Sequence, residues 1–262
     1  MELHFRKTGK GSPLIILHGL YGSGQNWFSI AQALSENFTV YLVDLRNHGN
    51  SPHAPEHNYH VMTRDLELFI DQHIHTKVCL LGHSMGGKVA MNYTLLHPEK
   101  VSGLVVVDIA MRSYSAGEGE SPQLYLHSKI MTALASLDLD FAGSREELDK
   151  QLARQISQLS LRRYLLKNVK RDKNGKFIWG MNIEVLKKNL TTLLDRVGTP
   201  GQTFSGPVLI ICGKQSGYIR QEDRHDFLSA FPAAEFAELD TGHWVHSEKP
   251  KEMIQVLRDF LM

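Results

Sequence analysis

The stretch Lys77-Val78-Cys79-Leu80-Leu81-Gly82-His83-Ser84-Met85-Gly86-Gly87-Lys88-Val89-Ala90-Met91-Asn92-Tyr93 decides the fold of this chain. It begins as an apolar run of strand length. It passes through a Gly-x-Ser-x-Gly pentapeptide and continues with apolar residues at helical spacing. That is a strand, a tight turn and a helix, the context in which a serine hydroxyl is held clear of the backbone as a nucleophile. Gly82 and Gly86 leave room for the turn, because a Cβ at either position would crowd the crossing backbone. Ser84 is therefore the candidate nucleophile.

Working outward, Leu14 to Leu17, Val40 to Val43, Val78 to Leu81, Leu104 to Val107 and Val208 to Ile211 are short, nearly uniform apolar runs. Such runs suggest parallel strands buried on both faces. Between them lie amphipathic helical patterns: Trp27, Ile30, Ala31 and Leu34; Met62, Leu66, Phe69 and Ile70; and, last, Met253, Val256, Leu257, Phe260 and Leu261. Strands alternating with helices predict an α/β fold with a mostly parallel central sheet flanked by helices. Pro98 ends the helix that follows Ser84.

The alternation breaks between about Met111 and Gly206. Leu124 to Leu137, Glu146 to Leu159, Leu161 to Val169 and Ile183 to Leu194 read as helices. Lys173-Asn174-Gly175-Lys176 reads as a turn that a short hairpin would use, and Gly198-Thr199-Pro200-Gly201 as a linker. The expected organisation is a core of residues 1–110 and 207–262 with a helical cap insertion, 111–206. Such a cap would cover the carboxyl ends of the strands, where ligands bind in open sheets.

A serine nucleophile needs a base, an orienting carboxylate and two N–H donors for the developing oxyanion. His243, in Asp240-Thr241-Gly242-His243-Trp244, follows the predicted last strand Glu235 to Leu239 and falls in a loop at the strand ends. It is the candidate base, with His246 as a nearby competitor. His83 flanks the nucleophile and cannot fold back onto it without breaking the turn. The N–H of Met85 is one expected oxyanion donor. The second comes from the loop His18-Gly19-Leu20-Tyr21-Gly22, with Leu20 preferred over Tyr21. His18 reads as a turn-stabilising side chain. The loop after Val208 to Cys212 holds no Asp or Glu where a triad acid would be expected. Glu222 and Asp223 come later, in what should be a helix's first turn, where acids commonly sit. Asp108 ends Leu104 to Val107, beside the nucleophile's strand, and is the favoured acid; Glu222 and Asp223 stay open as alternatives.

The chain has 262 residues, 42% of them hydrophobic, and a formal net charge of +1. A sizeable core can form, and the charge gives no support for nucleic acid as a partner. No run approaches the ~20 apolar residues of a membrane span, and Met1 to Lys10 has no apolar stretch of signal-peptide length. Cys79 and Cys212 both lie in apolar runs, which suits buried free thiols and a reducing compartment. A soluble cytoplasmic protein is expected; oligomeric state is not readable. Asp44-Leu45-Arg46-Asn47-His48-Gly49-Asn50-Ser51 gathers polar side chains but reads as a hydrogen-bonded supporting loop. Neither His-Glu-x-x-His nor a cysteine cluster occurs, so no metal and no cofactor are expected.

His18-Gly19, Asp44 to Ser51, Gly82 to Gly86 and Gly242-His243 stand in the order of the α/β-hydrolase superfamily with its helical cap, and the resemblance spans the whole chain. Within it, Leu17 to Ser23, Asp44 to Gly49 and Val107-Asp108-Ile109-Ala110 resemble the YbfF-type bacterial esterases, except that Met111 stands where that group commonly has proline. The resemblance implies hydrolysis of a small-molecule acyl ester or acyl-CoA thioester through an acyl-enzyme. It also implies a triad acid from the Asp-Ile pair, here Asp108. The superfamily hosts other chemistry too: lyases of the menaquinone-pathway type, carbon–carbon bond hydrolases and slow-turnover ligand-binding sensors. Arg162, Arg163, Lys167, Lys170, Arg171, Lys173 and Lys176 cluster in the expected cap, either as a solvated face or as an attractor for an anionic leaving group such as coenzyme A.

Overall fold

Seven strands form the central sheet of the computed structural model, which describes residues 1–115 and 121–262. In chain order the first half reads β1 (Phe5–Thr8), β2 (Ser12–Leu17), α1 (Phe28–Leu34), β3 (Phe38–Val43), α2 (Tyr59–His73), β4 (Val78–His83), α3 (Met85–Leu96) and β5 (Val101–Val107). Then come α4 (Pro122–Ala135), α5 (Arg145–Ala153), α6 (Leu159–Leu166), β6 (Val169–Arg171), β7 (Phe177–Trp179), α7 (Ile183–Lys188) and α8 (Leu190–Leu193). The chain closes with β8 (Val208–Gly213), α9 (Asp223–Ala230), β9 (Ala234–Leu239), α10 (Val245–Glu248) and α11 (Pro250–Leu261).

The sheet order is β1-β3-β2-β4-β5-β8-β9, parallel throughout except for β1. The apolar runs explain the layers. Along β2, Ile15 and Leu17 face one side and Leu14 and Ile16 the other, and all four are fully buried. The first side is packed by α2 and α3 through Met62, Leu66 and Val89. The second is packed by α1 and α11 through Ile30, Leu34, Met253 and Leu257. Burying both faces is what a parallel sheet requires of its strands.

None of the seven sheet strands comes from the segment between β5 and β8. That segment contributes α4 to α8 and the β6–β7 hairpin, which turns through Asp172 to Lys176. The Asp172 carboxylate accepts from the N–H groups of Asn174 and Lys176, and Gly175 takes the left-handed conformation. The hairpin is therefore present where the turn signal lies. Three helices differ from expectation, the first being the predicted Glu146–Leu159 helix, which ends at Ala153 and leaves Leu159 to start α6. Val169 leaves the predicted helix to start β6. The predicted Ile183–Leu194 helix breaks at Asn189, whose side chain turns back to donate to the Val185 carbonyl. The antiparallel edge strand β1 has no apolar run to announce it, because an outermost strand leaves much of its surface in water.

The two ends of the inserted segment lie side by side. The N–H of Tyr114 donates to the Leu194 carbonyl at 2.7 Å, and that of Val197 to the Met111 carbonyl at 3.0 Å. Among the described residues, no helix is long and apolar enough to cross a membrane.

Candidate active site

Ser84 follows directly from β4 at the carboxyl end of the sheet. It has φ +53° and ψ −120°, a left-handed strain that holds its side chain out of the turn. The neighbouring glycines are required: a Cβ on Gly82 would meet the Gly86 carbonyl, and one on Gly86 the Leu17 and His18 carbonyls. The Ser84 N–H donates to the Val107 carbonyl at 3.0 Å, tying the turn to β5.

His243 lies in the loop after β9. Its Nδ1–H donates to Asp108 Oδ2 at 2.8 Å, and its Nε2 lies 3.0 Å from the Ser84 hydroxyl, placed to accept its proton. Ser84, His243 and Asp108 thus form one hydrogen-bonded chain across β4, β5 and the β9 loop. Asp108 is fully buried and, like Ser84, has a positive φ, +50°. Its carboxylate also accepts from the Gly213 N–H at 2.9 Å and from the Ser216 hydroxyl. The loop after β8 therefore supplies donors to the acid instead of an acid of its own. Glu222 is exposed beside Arg220, and Asp223 pairs with Arg112 at 2.9 Å, so neither joins this chain.

His246 is buried and stacked on Trp27, with ring centroids 4.3 Å apart. Burial, with His243 and Lys167 adding to it, pushes its pKa down to about 3. His83 turns away from Ser84 and donates from Nε2 to the His243 carbonyl at 2.9 Å, bracing the loop that carries that imidazole. His18 sits in its own turn: Nδ1–H donates to the Gly19 carbonyl and Nε2 accepts from the Leu45 N–H.

Leu20 and Met85 line the small pocket that contains Ser84. Among the described residues, neither backbone N–H donates to a backbone carbonyl or to a side chain. Tyr21 is left-handed and does not line the pocket; its hydroxyl lies 3.0 Å from His127 Nδ1. The Asp44 loop is a closed hydrogen-bonded unit. The Asp44 carboxylate accepts from the N–H groups of Gly24 and Asn50, at 2.8 and 2.9 Å, and contacts His4.

Several of the basic residues between α6 and β7 are engaged internally. Arg162 pairs with Asp149 at 2.8 Å and donates to two carbonyls, of Ile156 and Ser157. Lys170 donates to the Gly49 carbonyl and to Asn50 Oδ1, and Arg171 lies over the Phe177 ring. Arg163 and Lys167 instead line a surface groove between α5 and α6.

Four pocket residues have no local signal in the sequence. Tyr218 stacks on His243 at 3.8 Å between ring centroids, and its hydroxyl lies 2.7 Å from His127 Nε2. His127, on α4, is buried and held down to about pH 3 by that burial and by His243. Tyr59 and Tyr114 complete the pocket, together with Ile109, Leu193 and Leu194. Behind both tyrosines lies the ammonium of Lys88, fully buried and pulled by burial down to about 7. A tyrosine or lysine that acquires its role only from partners a hundred residues away leaves no periodicity or spacing to read.

The family model described as alpha/beta hydrolase fold matches residues 12–250. The chain is 36% identical to the sn-1-specific diacylglycerol lipase ABHD11 of Danio rerio over 262 residues, covering 98% of this chain and 80% of that protein. It is 31% identical to Esterase YbfF of Escherichia coli, covering 95% and 93%. A solved structure titled as a marine microorganism esterase superimposes with a TM-score of 0.94 at 43% identity, covering 99% of both chains. The sheet order, the strained serine turn and these similarities agree, and the chain belongs to the α/β-hydrolase family.

Proposed function

We propose that this protein is a serine carboxylic-ester hydrolase that works through an acyl-enzyme. The observation that carries the reading is the continuous hydrogen-bonded chain Ser84–His243–Asp108, whose serine lines a small pocket. Ser84 attacks the ester carbonyl while His243 Nε2 takes its proton. Asp108 holds the imidazole with Nδ1 protonated and stabilises the imidazolium as it forms. The N–H groups of Leu20 and Met85 receive the oxyanion; losing one such donor costs roughly 10²–10³-fold in rate. His243 then protonates the leaving alkoxide, and a water activated by the same imidazole releases the acid.

The esterase and lipase names of the relatives support an ester substrate with an apolar acyl group. The pocket's aliphatic lining, from Leu20, Met85, Ile109, Leu193 and Leu194, supports it as well. Residues 111–206 act as a cap on a core of 1–110 and 207–262, since Tyr114, His127, Leu193 and Leu194 wall the pocket from that segment. A thioester such as acyl-CoA is a second substrate class for the same machinery, with Arg163, Lys167, Lys173 and Lys176 as the basic residues of that segment available to meet an anionic leaving group.

The test is hydrolysis of a panel of p-nitrophenyl esters and acyl-CoA thioesters of graded chain length. Wild type should show burst release of the alcohol or thiol, and Ser84→Ala should lose it. Full activity in Ser84→Ala would remove Ser84 as nucleophile.

A further inference from the structure

Lys88 sits one turn into α3, the helix that begins at the nucleophile, and is fully buried. Its Nζ donates to the Arg112 carbonyl at 2.8 Å and to the Asp195 carbonyl. Arg112 lies on the chain entering the inserted segment, and Asp195 on the chain leaving it. The same ammonium lies 4.9 Å from the ring centroid of Tyr114 and 5.7 Å from that of Tyr59. Both rings line the Ser84 pocket, as do Leu193 and Leu194, which immediately precede Asp195. Tyr59 adds a bond of its own, donating to the Leu193 carbonyl at 2.5 Å. One cation therefore faces two aromatic walls of the pocket and both necks of the insertion. Burying this head group is costly, and the neck carbonyls and the ring faces offset part of that cost.

We propose that Lys88 is a positioning residue that fixes the tyrosine wall and the two necks, and thereby sets the length of acyl group the pocket accepts. The inference rests on the acyl-enzyme reading above. Loss of the Lys88 head group lets the necks part; Tyr59 moves with Leu193, to whose carbonyl its hydroxyl donates, while Tyr114 stays tied through its hydroxyl to the Ala110 N–H and the Tyr218 carbonyl, and the pocket lengthens behind Ser84. Lys88 touches no reacting atom. Its effect falls on discrimination between substrates rather than on the acylation step for the smallest of them.

The experiment compares wild type, Lys88→Met and Tyr59→Leu in two assays. The first is steady-state hydrolysis of p-nitrophenyl acetate, butyrate and octanoate. The second is amide hydrogen exchange at Tyr114 and Val197, whose N–H groups join the necks. In Lys88→Met the octanoate-to-acetate ratio of kcat/KM should rise by roughly tenfold or more, mainly through KM for octanoate, because even one methylene in an apolar pocket discriminates on that scale. Exchange at both neck amides should quicken while that of Leu80 in β4 does not. Tyr59→Leu, which removes part of the wall and keeps Lys88, should raise the ratio in the same direction. An equal fall on all three esters, or an unchanged ratio with unchanged exchange, overturns the proposal. Should Lys88→Met fail to fold, an unchanged ratio in Tyr59→Leu overturns it alone. If wild type hydrolyses no ester, the acyl-enzyme reading fails, and neck exchange in Lys88→Met still decides whether Lys88 holds the necks.

Discussion

Asp108 carries a backbone strain, φ +50°. Left-handed conformations cost a non-glycine residue on the order of 1–3 kcal/mol and persist only where the surroundings over-determine them. Here the Asp108 N–H donates to the Ile211 carbonyl at 2.8 Å, while the carboxylate is held by Gly213, Ser216 and His243. The strain aims the carboxylate at His243 Nδ1. Asp108→Asn would present an amide that favours the wrong imidazole tautomer, and kcat should fall by roughly 10⁴-fold. Glu222→Gln, at an exposed surface position, should leave the same progress curves unchanged. Equal losses in the two variants would contradict Asp108 as the orienting acid. Ser84 and His243 were legible in the sequence through motif, chain order and loop position, whereas the acid was not settled there: Asp108 was favoured with Glu222 and Asp223 open, and the structure brings Asp108 to His243. Ser216 was not legible, since a serine in a loop has no signature until the carboxylate it serves is placed beside it.

At the scale of elements, the serine turn depends on how closely α3 crosses β2 and β4. Gly86→Ala would push a Cβ into the Leu17 and His18 carbonyls. Backbone cannot retreat as a side-chain tip can, and overpacking of this kind typically costs about 1–3 kcal/mol. For a chain of this size that is a Tm lowered by roughly 2–12 °C, readable by calorimetry. An unchanged Tm would mean that the crossing has more slack than its geometry shows. The strands buried on both faces were legible as uniform apolar runs, and so were the helices that pack on them. β1 was not, because Phe-Arg-Lys-Thr offers no apolar run. The division of one predicted helix into α7 and α8 was not legible either. Asn189 has an ordinary place in a helical pattern, and only its side-chain bond to Val185 marks the break.

Over the whole molecule, histidine is the most telling residue. Of 14 in the chain, His18, His48, His57, His83, His127 and His246 all have pKa values lowered chiefly by burial. A base whose pKa is lower folded than unfolded leaves the unfolded chain holding more protons between the two values. Stability therefore falls as pH drops below the unfolded value near 6.5. Each such imidazole contributes up to about 1.4 kcal/mol per pH unit. Against a typical total of about 5–15 kcal/mol, several acting together should unfold the protein cooperatively within about two units below that pH. Circular dichroism followed from pH 7.5 to 4 checks this, and a fold intact at pH 4 would refute it. Replacing the stacked His246 by Phe should move the midpoint to lower pH.

The adjacency of the two necks bears on how such a protein can diversify. Because β5 and β8 pair directly, and Met111 and Val197 meet beside them, the segment between is a closed loop to the sheet. Doubling a loop costs only about 0.6 kcal/mol in closure entropy. Its length and helices are thus free to be rewritten by insertion, deletion or grafting without displacing the strands that carry Ser84 and Asp108. The inserted segment and the sheet can in this way vary separately, so long as the bonds that join them, such as those of Lys88, Tyr59, Asn168 and Lys170, are kept.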